Sequence, residues 1–135
     1  MNLRIKRAYE SAAPEDGERY LVDRLWPRGV RKEALALTGW IKGVAPSSEL
    51  RQWFGHDPAR WPEFRRRYQM ELTAQSDAFE PLRDALKRAP VTLVHSAHDE
   101  AHNQAVVLRE WLLARKASPR KPGQAPRKTR KPMRR

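Results

Sequence analysis

The sequence predicts a small single α/β domain, with a short, largely parallel sheet flanked by helices and a disordered basic C-terminal tail. Three observations predict it. Val91-Thr92-Leu93-Val94 is a short, β-branched, largely apolar run that reads as a central, buried strand. Leu3-Arg4-Ile5-Lys6-Arg7-Ala8 alternates apolar with charged residues, the period of a half-buried or edge strand. Around them, apolar residues recur at helical spacing, so the order is strand, helices, strand, helix.

Along the chain, Ala12 to Gly17 is turn-rich. Tyr20-Leu21-Val22 opens a second strand, expected over 19–25 and stopped by Pro27 and Gly29; its C-terminal end presents Asp23, Arg24, Trp26 and Arg28. Residues 30–46 show no decisive pattern. Ser47 or Ser48 is placed to cap a short helix ending at Phe54, with Gly55 as its stop. Asp57-Pro58 starts another turn, N-cap followed by proline at the first position. Pro62 interrupts it, since proline lacks the N–H the ladder needs. One turn at 58–61 and a main helix at 62–74 are therefore expected. Trp61, Phe64, Tyr68 and Leu72 form the apolar stripe of that helix. Arg65, Arg66 and Arg67 fan over about 200° and do not share a face; Glu63 and Glu71 flank Arg67 at ion-pair spacing. A helix over 79–89 turns Phe79, Leu82, Ala85 and Leu86 inward, and a last helix is expected over 99–116 with Ala101, Ala105, Leu108 and Leu112 as its stripe.

The chain has 135 residues, net charge +12 and no cysteine. One domain is the default at this length. No disulfide framework can form, the apolar runs are far shorter than the ~20 residues of a membrane span, and no signal-peptide pattern opens the chain. A cytoplasmic protein is expected. Residues 117–135 hold eight basic side chains (Arg120, Lys121, Arg127, Lys128, Arg130, Lys131, Arg134 and Arg135) and no acid, which leaves residues 1–116 at +4. Four of the 11 prolines also fall there. Such a segment buries too little to offset its ordering entropy and reads as a disordered tail following a compact domain over 1–116. A cationic tail suits non-specific nucleic-acid binding by counterion release, with a salt slope of at most roughly −7 if all eight charges meet duplex phosphates. It has no aromatic residue to stack on bases, and a merely solubilising extension is an equal reading.

Four blocks stand out: Tyr20-Leu-Val-Asp-Arg-Leu-Trp-Pro-Arg-Gly29, Trp53-Phe-Gly-His-Asp-Pro58, Phe64-Arg-Arg-Arg-Tyr68 and Ser96-Ala-His-Asp-Glu-Ala-His-Asn-Gln-Ala-Val-Val-Leu108. In order and spacing they resemble the domain-of-unknown-function 488 family, in its short YeaO-like group. The likeness covers roughly residues 2–116. It implies a compact bacterial α/β protein and no particular reaction. Two departures matter. The short group usually reads Tyr-Ser-Ala-Lys-Asp where this chain has His95-Ser96-Ala97-His98-Asp99. Longer relatives tend to have Cys-His-Arg where this chain has Asn103-Gln104-Ala105, so any chemistry carried by that trio is missing here.

Ligands of open α/β sheets sit at the carboxyl ends of the strands. Two such ends are polar here. One offers Asp23, Arg24, Trp26 and Arg28; the other offers His95, Ser96, His98 and Asp99, then His102 and Asn103. If the strands are neighbours, these groups converge on an anionic small molecule, cyclic or nucleotide-like in character. Arg24 and Arg28 would pair with phosphate or carboxylate, Trp26 would stack, and Asp23 or His102 would act as acid or base. His56 is a further candidate for the same pocket. The bland readings are an internal pair of Asp23 with Arg24 or Arg28, and a core position for Trp26. Ser96 would cap the last helix, and Asp99 and Glu100 in its first turn would repel an anion there.

His98 and His102, four apart on the expected helix, invite a zinc reading with His95 as third ligand. The metalloprotease pattern wants Glu after the first His, where this chain has Asp99, so no metal and no cofactor are expected. Nor is there a cysteine nucleophile, a nucleophile elbow or a glycine-rich phosphate loop. The readings that remain are a binder or enzyme acting on an anionic small molecule, a nucleic-acid-associated protein using its tail, and an interaction module whose pocket is structural. The oligomeric state is not encoded legibly.

Overall fold

The computed structural model describes residues 2–117. The eight basic residues assigned to nucleic acid, and the disorder expected of their segment, lie outside the described residues.

Among the described residues, four strands form one sheet in the order β1-β4-β2-β3: β1 (Leu3–Arg7), β2 (Glu18–Leu21), β3 (Gly39–Trp40) and β4 (Val91–His95). Every pairing is parallel, with Leu3 beside Val91, Tyr20 beside Leu93 and Tyr20 beside Gly39. The alternating segment is thus an edge strand and the apolar run is central, with all five residues of β4 buried. The helices are α1 (Lys32–Leu35), α2 (Ser48–Phe54), α3 (Trp61–Ala74), α4 (Glu80–Arg88) and α5 (Gln104–Ala117).

Side chains alternate across the sheet, so its two faces carry different cores. Leu3, Tyr20, Val22, Val91 and Leu93 join Phe64, Tyr68, Leu72, Phe79, Leu82, Leu108 and Leu112 in the larger core. Leu21 and Val94 point the other way, onto Ala8 and Leu35, with Trp40 alongside. Each fully buried Leu or Val contributes about 1.5–3 kcal/mol, so the larger face dominates. Gly17 draws β2 against β4. At φ +67° it occupies the left-handed region, and a Cβ would sit 2.2 Å from the Pro90 carbonyl oxygen. The Glu18 amide donates to that same oxygen at 2.9 Å.

Local signals placed several ends correctly. Ser47 caps α2 by accepting from the Leu50 amide, and Gly55 ends it in the left-handed conformation. Asp57 caps the 3-10 turn at Pro58–Arg60. Others moved. β2 ends at Leu21, not at residue 25, because only Val22 continues the ladder, donating to Val94 before the chain turns away. The last helix begins at Gln104, not at 99. Asp99 Oδ1 accepts from the Ala101 and His102 amides, closing a turn that competes with helix. Asn103 then caps α5, its Oδ1 accepting from the Val106 amide, so Ser96 does not cap it and Ala101 is exposed rather than part of its stripe. Glu71 bypasses Arg67 and accepts from the Ser47 amide and hydroxyl at 2.9 and 2.6 Å, tying α3 to the start of α2. Arg67 pairs with Glu63 at 2.7 Å and lies over the Trp53 ring, while Arg65 pairs with Glu110 on α5.

Candidate functional site

All four strands run the same way, so their carboxyl ends open on one side. A cleft of about 570 Å³ lies there. It takes residues from behind each strand: Tyr9 after β1, Asp23 to Arg28 after β2, Ala45 and Pro46 after β3, and Ser96 to Asp99 after β4. Arg51 of α2, His56 and Gln104 of α5 complete it. Of the sequence candidates, Asp23, Arg24, Trp26, Arg28, His56, Ser96, His98 and Asp99 therefore share one cleft.

Asp23 is buried, and its partners are neither Arg24 nor Arg28. Its Oδ2 accepts from the Ser96 amide at 2.9 Å and from the Ser96 hydroxyl at 2.7 Å, and Oδ1 accepts from Gln104 Nε2. Burial pushes its carboxyl above the usual range; the Ser96 bonds, the Arg51 charge and Gln104 pull the other way. Asp23 thus binds the β4–α5 connection to the end of β2.

The cleft's arginines are differently placed. Arg24 makes one long bond, Nη2 to the Pro46 carbonyl at 3.3 Å, and its buried Nε meets no partner among the described residues. Neither Arg28 nor Arg51 has a side-chain hydrogen bond or an ion pair among the described residues; Arg28 is engaged only through its backbone carbonyl, which accepts from Tyr9 Oη at 3.1 Å. The nearby acids are committed elsewhere: Asp23 as above, and Asp99 to His102 Nδ1 at 2.9 Å. Outside the cleft, Arg19, Arg60, Arg65, Arg66, Arg67, Arg83 and Arg88 each meet a carboxylate, while Arg7 and Arg109 donate to the Ala97 and Leu3 carbonyls instead.

Trp26 is no core residue. It is 36% exposed, it lies edge-on to Trp40 at 5.5 Å, and its Nε1 donates to the Val30 carbonyl at 2.7 Å. His56 sits at φ +58°, a left-handed conformation costing a non-glycine residue about 1–2 kcal/mol, and lines the cleft wall.

Three candidates, His95, His102 and Asn103, fall outside this cleft. His102 and Asn103 line a smaller adjoining pocket of about 150 Å³, which shares Pro46, Arg51, His56 and Gln104 with the first. His102 packs edge-on against Trp61 at 5.1 Å, and Asn103 has both ends of its amide engaged, on the Asp99 carbonyl and the Val106 amide. Residues 98–102 are not helical, so His98 and His102 do not share a helix face. His95 is buried, and burial first, then the Arg7 charge, pushes its pKa down to about 4; its Nδ1 accepts from the Ala97 amide at 3.2 Å. Among the described residues, no three His, Asp or Glu side chains group as metal ligands, and no helix is long and apolar enough to cross a membrane.

Sequence reasoning missed Arg51, Gln104 and Tyr9 as cleft residues. Arg51 had one available signal: on the Ser47-capped helix it stands three residues before the core residue Phe54 and just ahead of the His56 turn.

Compared with known proteins, the chain matches the family described as the inactive DUF488-N3 subclade over residues 2–129, past the end of the likeness expected near 116. It is 44% identical over 112 residues to the uncharacterized protein YeaO of Escherichia coli K12, covering 83% of this chain and 97% of that one. It is 45% identical over 113 residues to the uncharacterized protein Rv3073c of Mycobacterium tuberculosis H37Rv, covering 84% and 95%. No solved structure matches it.

Proposed function

The chain belongs to the inactive DUF488-N3 subclade, and from that premise we propose that it binds an anionic small molecule in the strand-end cleft, as a binder rather than a catalyst. The observation that carries this reading is the set of three arginines, Arg24, Arg28 and Arg51, which line one cleft with no ion pair to a carboxylate among the described residues, Arg51 acting on Asp23 through its charge alone. Guanidinium groups recognise phosphate and carboxylate in a bidentate way, and unpaired ones in a concave site favour such a guest. His56 and Ser96 add polar groups to the same walls. The binder reading rests on membership of a subclade described as inactive and on Asp23, whose two oxygens are occupied by Ser96 and Gln104. Asn103-Gln104-Ala105 also stands where the longer relatives tend to carry Cys-His-Arg.

The test is thermal unfolding of the full chain against phosphate, pyrophosphate, sugar phosphates, nucleotides, carboxylates and divalent metals. A ligand at 100 times its Kd adds about 2.7 kcal/mol, which moves Tm by about ten degrees in a domain of this size. A shift with phosphates or carboxylates that Arg28→Ala removes supports the reading; a blank panel overturns it.

A second reading rests on a different observation, the eight basic side chains of 117–135 with no acid among them. Through them the protein would hold nucleic acid non-specifically, with the folded domain as carrier.

A further inference from the structure

Resting on the anion-binding reading, we propose that the ligand is a nucleoside phosphate: a planar ring seated on Trp26, with its phosphate on the cleft arginines. The cleft is built for two kinds of surface at once. Its charged part is Arg24, Arg28 and Arg51, already described. Its rim is apolar and partly aromatic: Trp26, Tyr9 at 50% exposure and Leu25 at 66%.

Both rings are held in place while exposed. Trp26 is tied by its Nε1 bond to the Val30 carbonyl and by its edge contact with Trp40. Trp40 is itself fixed, donating from Nε1 to the Asp23 carbonyl at 2.7 Å, with Lys42 Nζ 4.1 Å from its ring centroid. Tyr9 is tied by its hydroxyl to the Arg28 backbone carbonyl, and the Arg7 guanidinium carbon lies 5.2 Å from its ring centroid. The chain segment that carries Arg28 is therefore fastened to one rim ring, two residues after the other. An indole held rigid with open surface beside unpaired guanidiniums is suited to stack a flat π system whose charge lies a short linker away. A bare oxyanion would leave the rings wet, and an aliphatic acid would not use a π face. The volume agrees: about 570 Å³ is in the range that accepts whole small molecules, and far more than one phosphate fills.

The same chemistry has two sources, a free mononucleotide or the 5′-phosphorylated end of a single strand. The experiment titrates the full chain with adenosine and uridine monophosphates, ribose 5-phosphate, adenosine, and a 5′-phosphorylated tetranucleotide. Calorimetry and tryptophan fluorescence serve as readouts. The proposal expects the monophosphates to bind roughly tenfold or more tighter than ribose 5-phosphate. Trp26→Leu should remove that advantage and leave ribose 5-phosphate binding unchanged, while Trp26→Phe keeps most of it. Competition between tetranucleotide and monophosphate, with the same Trp26 dependence, supports the proposal with a strand as the source. Equal affinity for ribose 5-phosphate and the monophosphates overturns the ring assignment while the anion reading stands. Adenosine binding as tightly as its monophosphate overturns the anion reading, and no binding overturns both.

Discussion

Asp23 and Ser96 are joined twice across the carboxyl end of the sheet: one carboxylate oxygen accepts from the Ser96 amide at 2.9 Å and from its hydroxyl at 2.7 Å. The other oxygen takes Gln104. This knot sets the distance between the end of β2, which carries Arg24 and Arg28, and the start of α5. Removing the carboxyl leaves a backbone amide and a side-chain amide without their acceptor. Asp23→Ala is expected to cost about 2–3 kcal/mol in denaturant unfolding, and Ser96→Ala about 1 kcal/mol. In the double variant the losses should sum to less than the two singles, since they share one interaction. Strict additivity would show that the pair is not coupled.

His95 makes stability fall in mild acid. Its pKa is held down to about 4, against about 6.5 when unfolded, because burial and then the Arg7 charge disfavour the imidazolium. The unfolded chain therefore binds the extra proton below about pH 6.5. Stability drops from there and levels off near pH 4, by roughly 3 kcal/mol for the full shift. Asp16 and Glu63, held below the usual carboxylate range, act only in a lower window. Asp23 has the opposite sign, since its raised carboxyl favours the folded state as pH falls. Unfolding at pH 7, 5.5 and 4.5 should show the decline, and His95→Gln should flatten it above pH 4.5. An unchanged slope in that variant would assign the decline elsewhere.

Much of the fold was legible because its signals are local. Alternation at 3–8, the β-branched run at 91–94, and the Ser47–Gly55 cap pair each lie within a few residues. The errors came where a side chain chose a distant or competing partner. Asp99 folded back on its own amides and delayed α5 by five residues. Glu71 left Arg67 for Ser47, 24 positions away. Trp26 found its neighbour in Trp40, on a strand of two residues that residues 30–46 gave no pattern to reveal. The strand-end cluster was legible in its β2 and β4 parts, because topology alone brings those ends together. Arg51 and Gln104 were not, because helix packing places them.

His56 and Ala36 are the two non-glycine residues with positive φ among the described residues, at 58° and 49°. Ala36 ends α1 away from the cleft; His56 lines the cleft. Glycine relieves the strain at either place. Ala36→Gly is expected to raise stability by about 0.5–1 kcal/mol with ligand binding intact. His56→Gly should gain a similar amount while weakening anion binding several-fold. Unchanged binding in His56→Gly would give that strain no role in the site.

The second reading has its own signature. Replacing the eight basic residues of 117–135 with glutamine should flatten the salt dependence of nucleic-acid binding from a slope of at most roughly −7 toward zero. Stabilisation by pyrophosphate should not change. Equal slopes for the two proteins would remove the tail from nucleic-acid binding.

The central claim is that the cleft's arginines are held for an anion and not for the fold. Denaturant unfolding of the full-length Arg28→Gln/Arg51→Gln protein, with and without pyrophosphate at matched ionic strength, tests it most directly. Without pyrophosphate the double variant should stay within about 0.5 kcal/mol of the parent, because no hydrogen bond or ion pair is lost and Arg51 acts on Asp23 through its charge alone. Pyrophosphate should then stabilise the parent and leave the variant where it was. A variant that loses more than about 1 kcal/mol on its own, and gains from pyrophosphate as the parent does, would make those arginines part of the scaffold and contradict the account.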